Sequence, residues 1–201
     1  MLLKVKKLEL KTCKFLSKLP FFFISRVLLL VFIFPNFIWA KVDLVQVVEK
    51  LQYPWAMDFL PGNEALVTEK PGRLQKVNLE TGKKTEIQNL PEIHAVGQGG
   101  LLDVMVHPDF KQNQKIFLTF SAPLNASGDA TTTLISARLE GQQLSDKKIL
   151  FQADPALPGG HHFGSRVRMA QDGMLYFSVG ERGRMKEAQD PQNHLGTVIR
   201  L

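Results

Sequence analysis

The five histidines are the side chains of this 201-residue sequence best suited to acid–base or metal chemistry. They are His94, His107, His161, His162 and His194. Their spacing matches neither zinc-finger nor HExxH motifs, and neighbours within a strand face opposite ways, so we predict no metal ligands in this chain. The chemistry that remains is proton transfer, for which a free imidazole with a pKa of about 6.5 is well suited.

His162 is the candidate general base because of its position along a predicted hairpin. Asp172-Gly173 is a hairpin turn signal; His162 lies ten residues before Asp172, and Glu181 lies nine residues after it. The hairpin is therefore expected to bring His162 and Glu181 to the same end. A carboxylate beside an imidazole fixes its tautomer and raises its basicity, as a general base requires. The alternative is a solvated loop histidine near a surface glutamate.

Gln98 is expected on the same face as His162. It stands in Gly97-Gln-Gly-Gly100, which precedes a predicted strand just as His162 does, and it lies eleven residues before Asp109. Equivalent places in a repeated unit predict that both side chains lie near the axis of the fold. The glycine run does not complete GxGxxG, and no GK[ST] follows, so it is not a nucleotide loop. Its alternative role is a tight turn with close backbone packing.

The elements that must position these residues are short strands. After Ala40, runs rich in β-branched and aromatic residues alternate with Gly, Pro, Asn and Asp clusters, which predicts an all-β protein. The predicted strands are Ala56–Leu60, Ala65–Glu69, Leu74–Asn78, Leu101–His107, Lys115–Phe120, Thr132–Leu139, Lys148–Gln152, Arg166–Ala170 and Met174–Val179.

A strand-turn-strand signature recurs three times in this region. Aligning Met57, Met105 and Met169 gives intervals of 48 and 64 residues, and we attribute the longer one to the polar insert Pro123–Thr132 and the loop at Gly159-Gly160. Such a repeat favours a β-propeller of four-stranded antiparallel blades over the alternative, a β-sandwich. About 3.5 blades of typical length fit the chain. Because a propeller closes its ring to protect its edges, residues 41–201 are expected to be its N-terminal blades, incomplete at the C-terminus.

Residues 1–40 are expected to be an export signal. They hold seven basic residues and one acid, followed by the apolar run Val27–Phe34, the breakers Pro35-Asn36 and a candidate cleavage point after Ala40. The alternative is an uncleaved N-terminal anchor. Cleavage would leave no stable membrane insertion and a periplasmic or secreted domain. The single cysteine, Cys13, lies in this segment, so no disulfide is expected after it.

The charge balance argues against a nucleic-acid partner. The formal net charge of +6 comes from the first 40 residues, because residues 41–201 hold 18 basic and 18 acidic residues. The body of the chain therefore has no overall electrostatic attraction for phosphates.

Several linked motifs together resemble a known family. They are Gly97-Gln-Gly-Gly-Leu-Leu-Asp-Val, His107-Pro-Asp-Phe, His162-Phe-Gly-Ser-Arg-Val, Gly180-Glu-Arg-Gly183, and Ala188-Gln-Asp with Leu195-Gly-Thr-Val-Ile-Arg-Leu201. In this order they resemble the soluble sugar dehydrogenases that depend on pyrroloquinoline quinone (PQQ), and more closely the aldose sugar dehydrogenase branch of the glucose/sorbosone dehydrogenase family. The resemblance covers essentially all of residues 44–201.

The resemblance implies a six-bladed propeller, of which about the first half is present, with PQQ and Ca²⁺ on one face. It implies an oxidoreductase that oxidises aldoses at C1 to lactones by hydride transfer to PQQ, with His162 as the base and Glu181 as its orienting acid. Gln98 matches a sugar-contacting glutamine. His161, where the close glucose dehydrogenases carry an aspartate, is the other substrate-binding candidate. The residues that bind the cofactor and Ca²⁺ are expected beyond Leu201.

The implied partners are an aldose sugar and an external electron acceptor, and a homodimer is left open. Two other functions remain as alternatives. One is a non-catalytic propeller that binds carbohydrate or protein, since a fold does not fix a function. The other is a metal-dependent lactonase-type hydrolase, which needs acidic and Asn ligands converging on the axis.

Overall fold

The computed structural model describes residues 2–5 and 43–201. Its contacts divide the chain into two compact units, Leu3–Gln46 on one side and Met1–Leu2 with Val47–Leu201 on the other. Strands β1 (Leu2–Val5) and β2 (Leu44–Val48) form a two-stranded sheet. The predicted export signal, residues 1–40, lies outside the described residues except for residues 2–5. Every predicted site residue belongs to the larger unit.

The larger unit is built from three antiparallel sheets in chain order. The first contains β3 (Pro54–Leu60), β4 (Glu64–Glu69), β5 (Arg73–Asn78) and β6 (Lys84–Ile87). The second contains β7 (Leu101–Val106), β8 (Lys115–Pro123), β9 (Ala130–Glu140) and β10 (Gln143–Gln152). The third contains β11 (Gly164–Met169), β12 (Leu175–Val179) and β13 (Val198–Arg200). A short helix, α1 (Phe110–Asn113), and a 3-10 turn, Glu187–Gln189, complete the described elements.

This arrangement confirms the predicted all-β fold of propeller blades. Each sheet is a meander in which consecutive strands pair, and the first strands β3, β7 and β11 contact one another in that order. All nine predicted strands are present with shifted ends. Strand β6 was missed because its sequence, Lys-Thr-Glu-Ile, buries only Ile87. The predicted polar insert Pro123–Thr132 is smaller than expected, because β8 and β9 pair out to Pro123 and Ala130.

A bulge near the start of the first strand sets the register in each sheet. The bulge is the same in all three sheets, and the pairing makes Val104 and Val167 equivalent to Met57, because each of these residues pairs with the residue just before the hydroxyl-bearing residue of the second strand. The predicted alignment of Met57 with Met105 and Met169 is therefore wrong by one and two positions. Composition does not reveal the shift, because apolar residues also stand beside the equivalent position, as Met105 stands beside Val104.

Equivalent hydroxyls on the second strands tie neighbouring blades together. Thr68, Thr119 and Ser178 each accept a hydrogen bond from a backbone N–H in the first strand of their own sheet, at 3.0, 3.0 and 3.2 Å. Thr68 Oγ1 also donates to Leu102 O of the next sheet at 2.7 Å, and Thr119 Oγ1 donates to Ser165 O at 3.1 Å. The bond from Thr119 holds the start of β11 against the second sheet.

Apolar side chains fill the spaces between successive sheets. One cluster joins the first and second sheets, and another joins the second and third. Their fully buried members include Leu66, Leu74, Ile87, Ile116 and Leu118 in the first cluster and Leu134, Val167 and Phe177 in the second. Across residues 2–5 and 43–201, no helix has the length and apolar character needed to span a membrane.

Candidate active site

Three loops meet where the second and third sheets begin. The loop before β7 carries Gln98, the loop before β11 carries His161 and His162, and the turn after β12 carries Glu181. Backbone bonds join the first two loops, since Gln98 N donates to Gly160 O at 2.6 Å. All four predicted site residues are thus placed at one end of the blades.

The central contact joins the His162 imidazole to the Glu181 carboxylate through Nδ1 and Oε1. A carboxylate accepts but does not donate, so the proton of this bond belongs to Nδ1. In the neutral ring Nε2 then carries the free lone pair. The His162 side chain is 47% exposed and the Glu181 side chain 24% exposed, so the pair is open to a ligand on one side.

The environment of Glu181 keeps it ionised. The hydrogen bond from His162 is the largest cause that lowers the pKa of the Glu181 carboxyl below its ordinary value of 4.5, and the backbone N–H of Gly183 adds to it. Partial desolvation acts in the opposite direction but is outweighed. An ionised Glu181 is the partner that a developing imidazolium needs.

The backbone around His162 is held in sparsely populated conformations. His162 has φ 48°, and Ser165, three residues later, has φ 131°. Such strain persists where the surroundings over-determine it. Here the hydroxyls of Thr132 and Thr119 bind the carbonyls of Phe163 and Ser165, so the second sheet fixes the loop on both sides of β11's first residue.

Gly180 permits the closest backbone approach at the site. A Cβ at Gly180 would lie 1.8 Å from the carbonyl oxygen of His162, a distance that no side chain could tolerate. The hydrogen at this position lets the turn carrying Glu181 pass directly against the His162 backbone. Glu181 can therefore reach the imidazole of His162.

Gln98 contacts the His162 backbone rather than its ring. Its side-chain oxygen Oε1 accepts the backbone N–H of His162 at 3.0 Å, which leaves the side-chain NH₂ group of this exposed residue free to donate. Close packing of Gly97 against Gly160 positions the loop, since a Cβ at Gly97 would lie 2.6 Å from Gly160 O. The predicted tight packing of the glycine run is thus present.

His161 is exposed and lies beside the central pair. Its ring is 5.9 Å from the His162 ring, centroid to centroid, in an edge-to-face arrangement. The carbonyl oxygen of His161 accepts a hydrogen bond from Arg182 Nε at 2.8 Å.

Arg182 is a residue of the site that sequence reasoning missed. It follows Glu181 directly and is only 7% exposed, and its guanidinium donates hydrogen bonds to carbonyl oxygens of the loop that carries His162. The sequence signal was limited to its place beside Glu181 in Gly180-Glu-Arg-Gly183, which does not indicate that the arginine is buried.

Two of the other histidines have structural contacts away from the site. His107 Nδ1 accepts the N–H of Asp109 at 3.0 Å and its ring stacks on Phe117. His194 Nδ1 accepts the N–H of Asp154 at 2.9 Å. Within residues 43–201, no group of three or more His, Cys, Asp or Glu side chains is arranged to hold a metal ion.

Comparison with known proteins gives one family. The sequence profile of the Glucose / Sorbosone dehydrogenase family matches residues 51–201. The aldose sugar dehydrogenase YliI of Escherichia coli (strain K12) is 34% identical over 165 residues, covering 81% of this chain and 44% of that protein.

Solved structures agree with this match. The soluble aldose sugar dehydrogenase from Escherichia coli in its apo-form superposes with a TM-score of 0.73 at 35% identity, covering 77% of this chain and 45% of that one. The PQQ-bound form of the aldose sugar dehydrogenase from Streptomyces coelicolor gives 0.64 at 28% identity, covering 77% and 46%. The chain therefore spans a little under half the length of these relatives.

Proposed function

We propose that this chain, which belongs to the glucose/sorbosone dehydrogenase family, forms part of a PQQ-dependent aldose sugar dehydrogenase. The reaction would oxidise an aldose at C1 to the lactone, with His162 as general base. The single observation that carries the proposal is the His162–Glu181 pair, in which Nδ1 is engaged and Nε2 is free.

The His162–Glu181 geometry supports the following proton step. Nε2 of His162 takes the proton of the C1 hydroxyl, the O–H electron pair becomes the second C–O bond, and the C1 hydrogen leaves as hydride. Glu181 holds the ring in the productive tautomer and stabilises the imidazolium that forms. General base catalysis of this kind typically contributes about 10²–10⁴-fold in rate.

The residues present fit an added two-electron acceptor. The site offers a proton acceptor and hydrogen-bond donors, whereas the only cysteine of the chain, Cys13, lies far from it in sequence. PQQ, when bound with Ca²⁺, would supply the hydride acceptor. The side chains that hold both groups are assigned to the part of the relatives' length that this chain does not span.

Two further side chains are assigned to the sugar. Gln98 has its NH₂ group free to donate to a hydroxyl, because its oxygen already holds the His162 backbone. His161, exposed beside the His162 ring, is assigned a sugar contact at the rim of the site. Electrons pass on to an external acceptor, and residues 1–40 direct the protein out of the cytoplasm.

Reconstitution tests the proposal. The full-length protein that contains this chain is freed of metal and cofactor, then assayed for aldose-dependent reduction of an artificial dye with PQQ, Ca²⁺, both or neither. We expect turnover only with both and a lactone as the product. Sugar binding without turnover under all four conditions would support the non-catalytic propeller instead, and lactone hydrolysis with metal alone would support the hydrolase.

A further inference from the structure

Arg182 is a buried cation whose partners are all main-chain oxygens. Its guanidinium donates to Ala130 O at 2.5 Å, Leu157 O at 3.2 Å, Gly159 O at 2.9 Å and His161 O at 2.8 Å. The guanidinium carbon also lies 3.8 Å from the centroid of the Phe163 ring.

No carboxylate among the described residues forms an ion pair with Arg182. Every other arginine in residues 43–201 lies within ion-pair distance of an acid, as Arg166 and Arg168 do with Asp103. Burial lowers the pKa of the Arg182 guanidinium, yet an arginine keeps its charge in proteins. A buried cation is tolerated only when its surroundings satisfy it, so four carbonyls and an aromatic face must converge on this one group.

These bonds hold the loop before β11 at several points. That loop contains four of the contacted residues, Leu157, Gly159, His161 and Phe163. The bond to Ala130, the first residue of β9, ties the loop to the second sheet. A guanidinium presents its donors in a rigid plane, so satisfying it fixes the relative positions of the carbonyls. The loop that ends in His162 is thereby shaped around a single side chain.

Arg182 also adjoins the partner of the base. Glu181 reaches the His162 ring through its side chain, while Arg182, the next residue, reaches the His161 carbonyl through its own. Glu181 therefore holds the ring of His162, and Arg182 holds the backbone just before it. Neither the ring nor its backbone can turn relative to Glu181 without breaking one of these contacts.

We propose that Arg182 is a positioning residue for proton transfer: it fixes the His162 imidazole relative to Glu181 by organising the carbonyls of residues 157–161. The inference rests on the proposed function of His162. It predicts a loss in kcat rather than in substrate affinity, since Arg182 is only 7% exposed and its guanidinium is bonded to main-chain carbonyls.

The experiment compares Arg182→Ala and Arg182→Lys with Arg184→Ala in the full-length protein. Arg184 is the matched control, an exposed arginine two residues later whose guanidinium forms an ion pair with Glu187 at 3.2 Å. We expect kcat to fall about 10–100-fold in Arg182→Ala, with the KM for aldose within about threefold of the parent value. Lysine should not restore kcat because it lacks the planar fork, and millimolar guanidinium should raise the kcat of Arg182→Ala alone.

A second readout needs no bound quinone. Hydrogen exchange followed by mass spectrometry should show faster exchange over residues 157–163 in both Arg182 variants, and guanidinium should slow it in Arg182→Ala. If Arg182→Ala does not fold, Arg182→Lys, which keeps the charge, carries the same comparison.

His162→Ala in parallel separates this inference from the proposed function. If His162→Ala keeps the turnover of the parent, the assignment of His162 as general base is wrong and the proposed function fails. If His162→Ala is inactive while the Arg182 variants keep parental kcat and exchange, the positioning role is overturned. A kcat loss that only follows the folded fraction, without response to guanidinium, would also overturn it.

Discussion

Replacing Gly180 by alanine is the sharpest steric probe of the site. The added Cβ would lie 1.8 Å from the carbonyl oxygen of His162 and 2.3 Å from its carbonyl carbon. Real Cβ atoms essentially never come within 3.0 Å of such atoms, so the two backbones must separate by more than 1 Å. Because His162 and Glu181 stand on opposite sides of this contact, the separation displaces the imidazole from its partner.

The size of the effect follows from that displacement. A misplacement of about 1 Å costs about 10²-fold in rate, which corresponds to about 2.7 kcal/mol in the activation free energy. Overpacking of this kind also costs about 1–3 kcal/mol in the free energy of unfolding. We therefore expect the kcat of Gly180→Ala to fall about 100-fold under saturating aldose, PQQ and Ca²⁺, in a protein that still unfolds cooperatively.

Gly173→Ala, at the turn of the same hairpin, is the control. A Cβ there meets no atom within 4 Å, although φ is +83°, so the change should lower stability by about 1 kcal/mol and spare kcat. A folded Gly180→Ala protein with kcat within twofold or threefold of the parent would refute the claim that the His162 backbone position controls turnover.

Further predictions concern the partners of His162 and the N-terminus. Glu181→Gln should lower kcat by about 10–100-fold, less than loss of His162, because it removes orientation and charge but leaves the base. Since the folded-state pKa of Glu181 lies below 4.5, its stabilising contribution is present above that pH and is lost as the pH falls through the folded value. Acid unfolding curves should therefore converge for the parent and Glu181→Gln below pH 4.5. His161→Ala should raise the KM for aldose with little change in kcat, measured by steady-state kinetics. N-terminal sequencing of exported protein should begin at or near Lys41, and a soluble cytoplasmic product retaining residues 1–40 would contradict export.

Much of the site could be predicted because its geometry is local or repeated. His162 and Glu181 are joined by one hairpin, so counting residues from Asp172 placed them at the same end. Gln98 and His162 are 64 residues apart, but equivalent places in successive blades brought them together, and the structure has a 3.0 Å bond between them. In a repeat protein, residues far apart in sequence can therefore be placed together by their equivalent positions in successive units.

The parts that escaped prediction depend on loop paths, an edge strand and strand register. The carbonyls that bind Arg182 lie in a loop whose course is set by tertiary contacts, so its burial has no sequence pattern. Strand β6 pairs through backbone bonds at a sheet edge, with only Ile87 buried, and alternation was too weak to identify it. The register that makes Val104 and Val167, rather than Met105 and Met169, equivalent to Met57 is likewise set by backbone pairing.

Replacing His162 is the most direct test of its assignment as the general base. In the full-length protein with PQQ and Ca²⁺, kcat for an aldose is compared between the parent, His162→Ala and His107→Ala, and quinone binding is measured separately by absorbance titration. His107 follows the far end of β7 and serves as a remote histidine control. We predict a fall in kcat of about 10²–10⁴-fold for His162→Ala alone, with quinone binding retained. Comparable turnover in the parent and His162→Ala would contradict the assignment of His162 as the base.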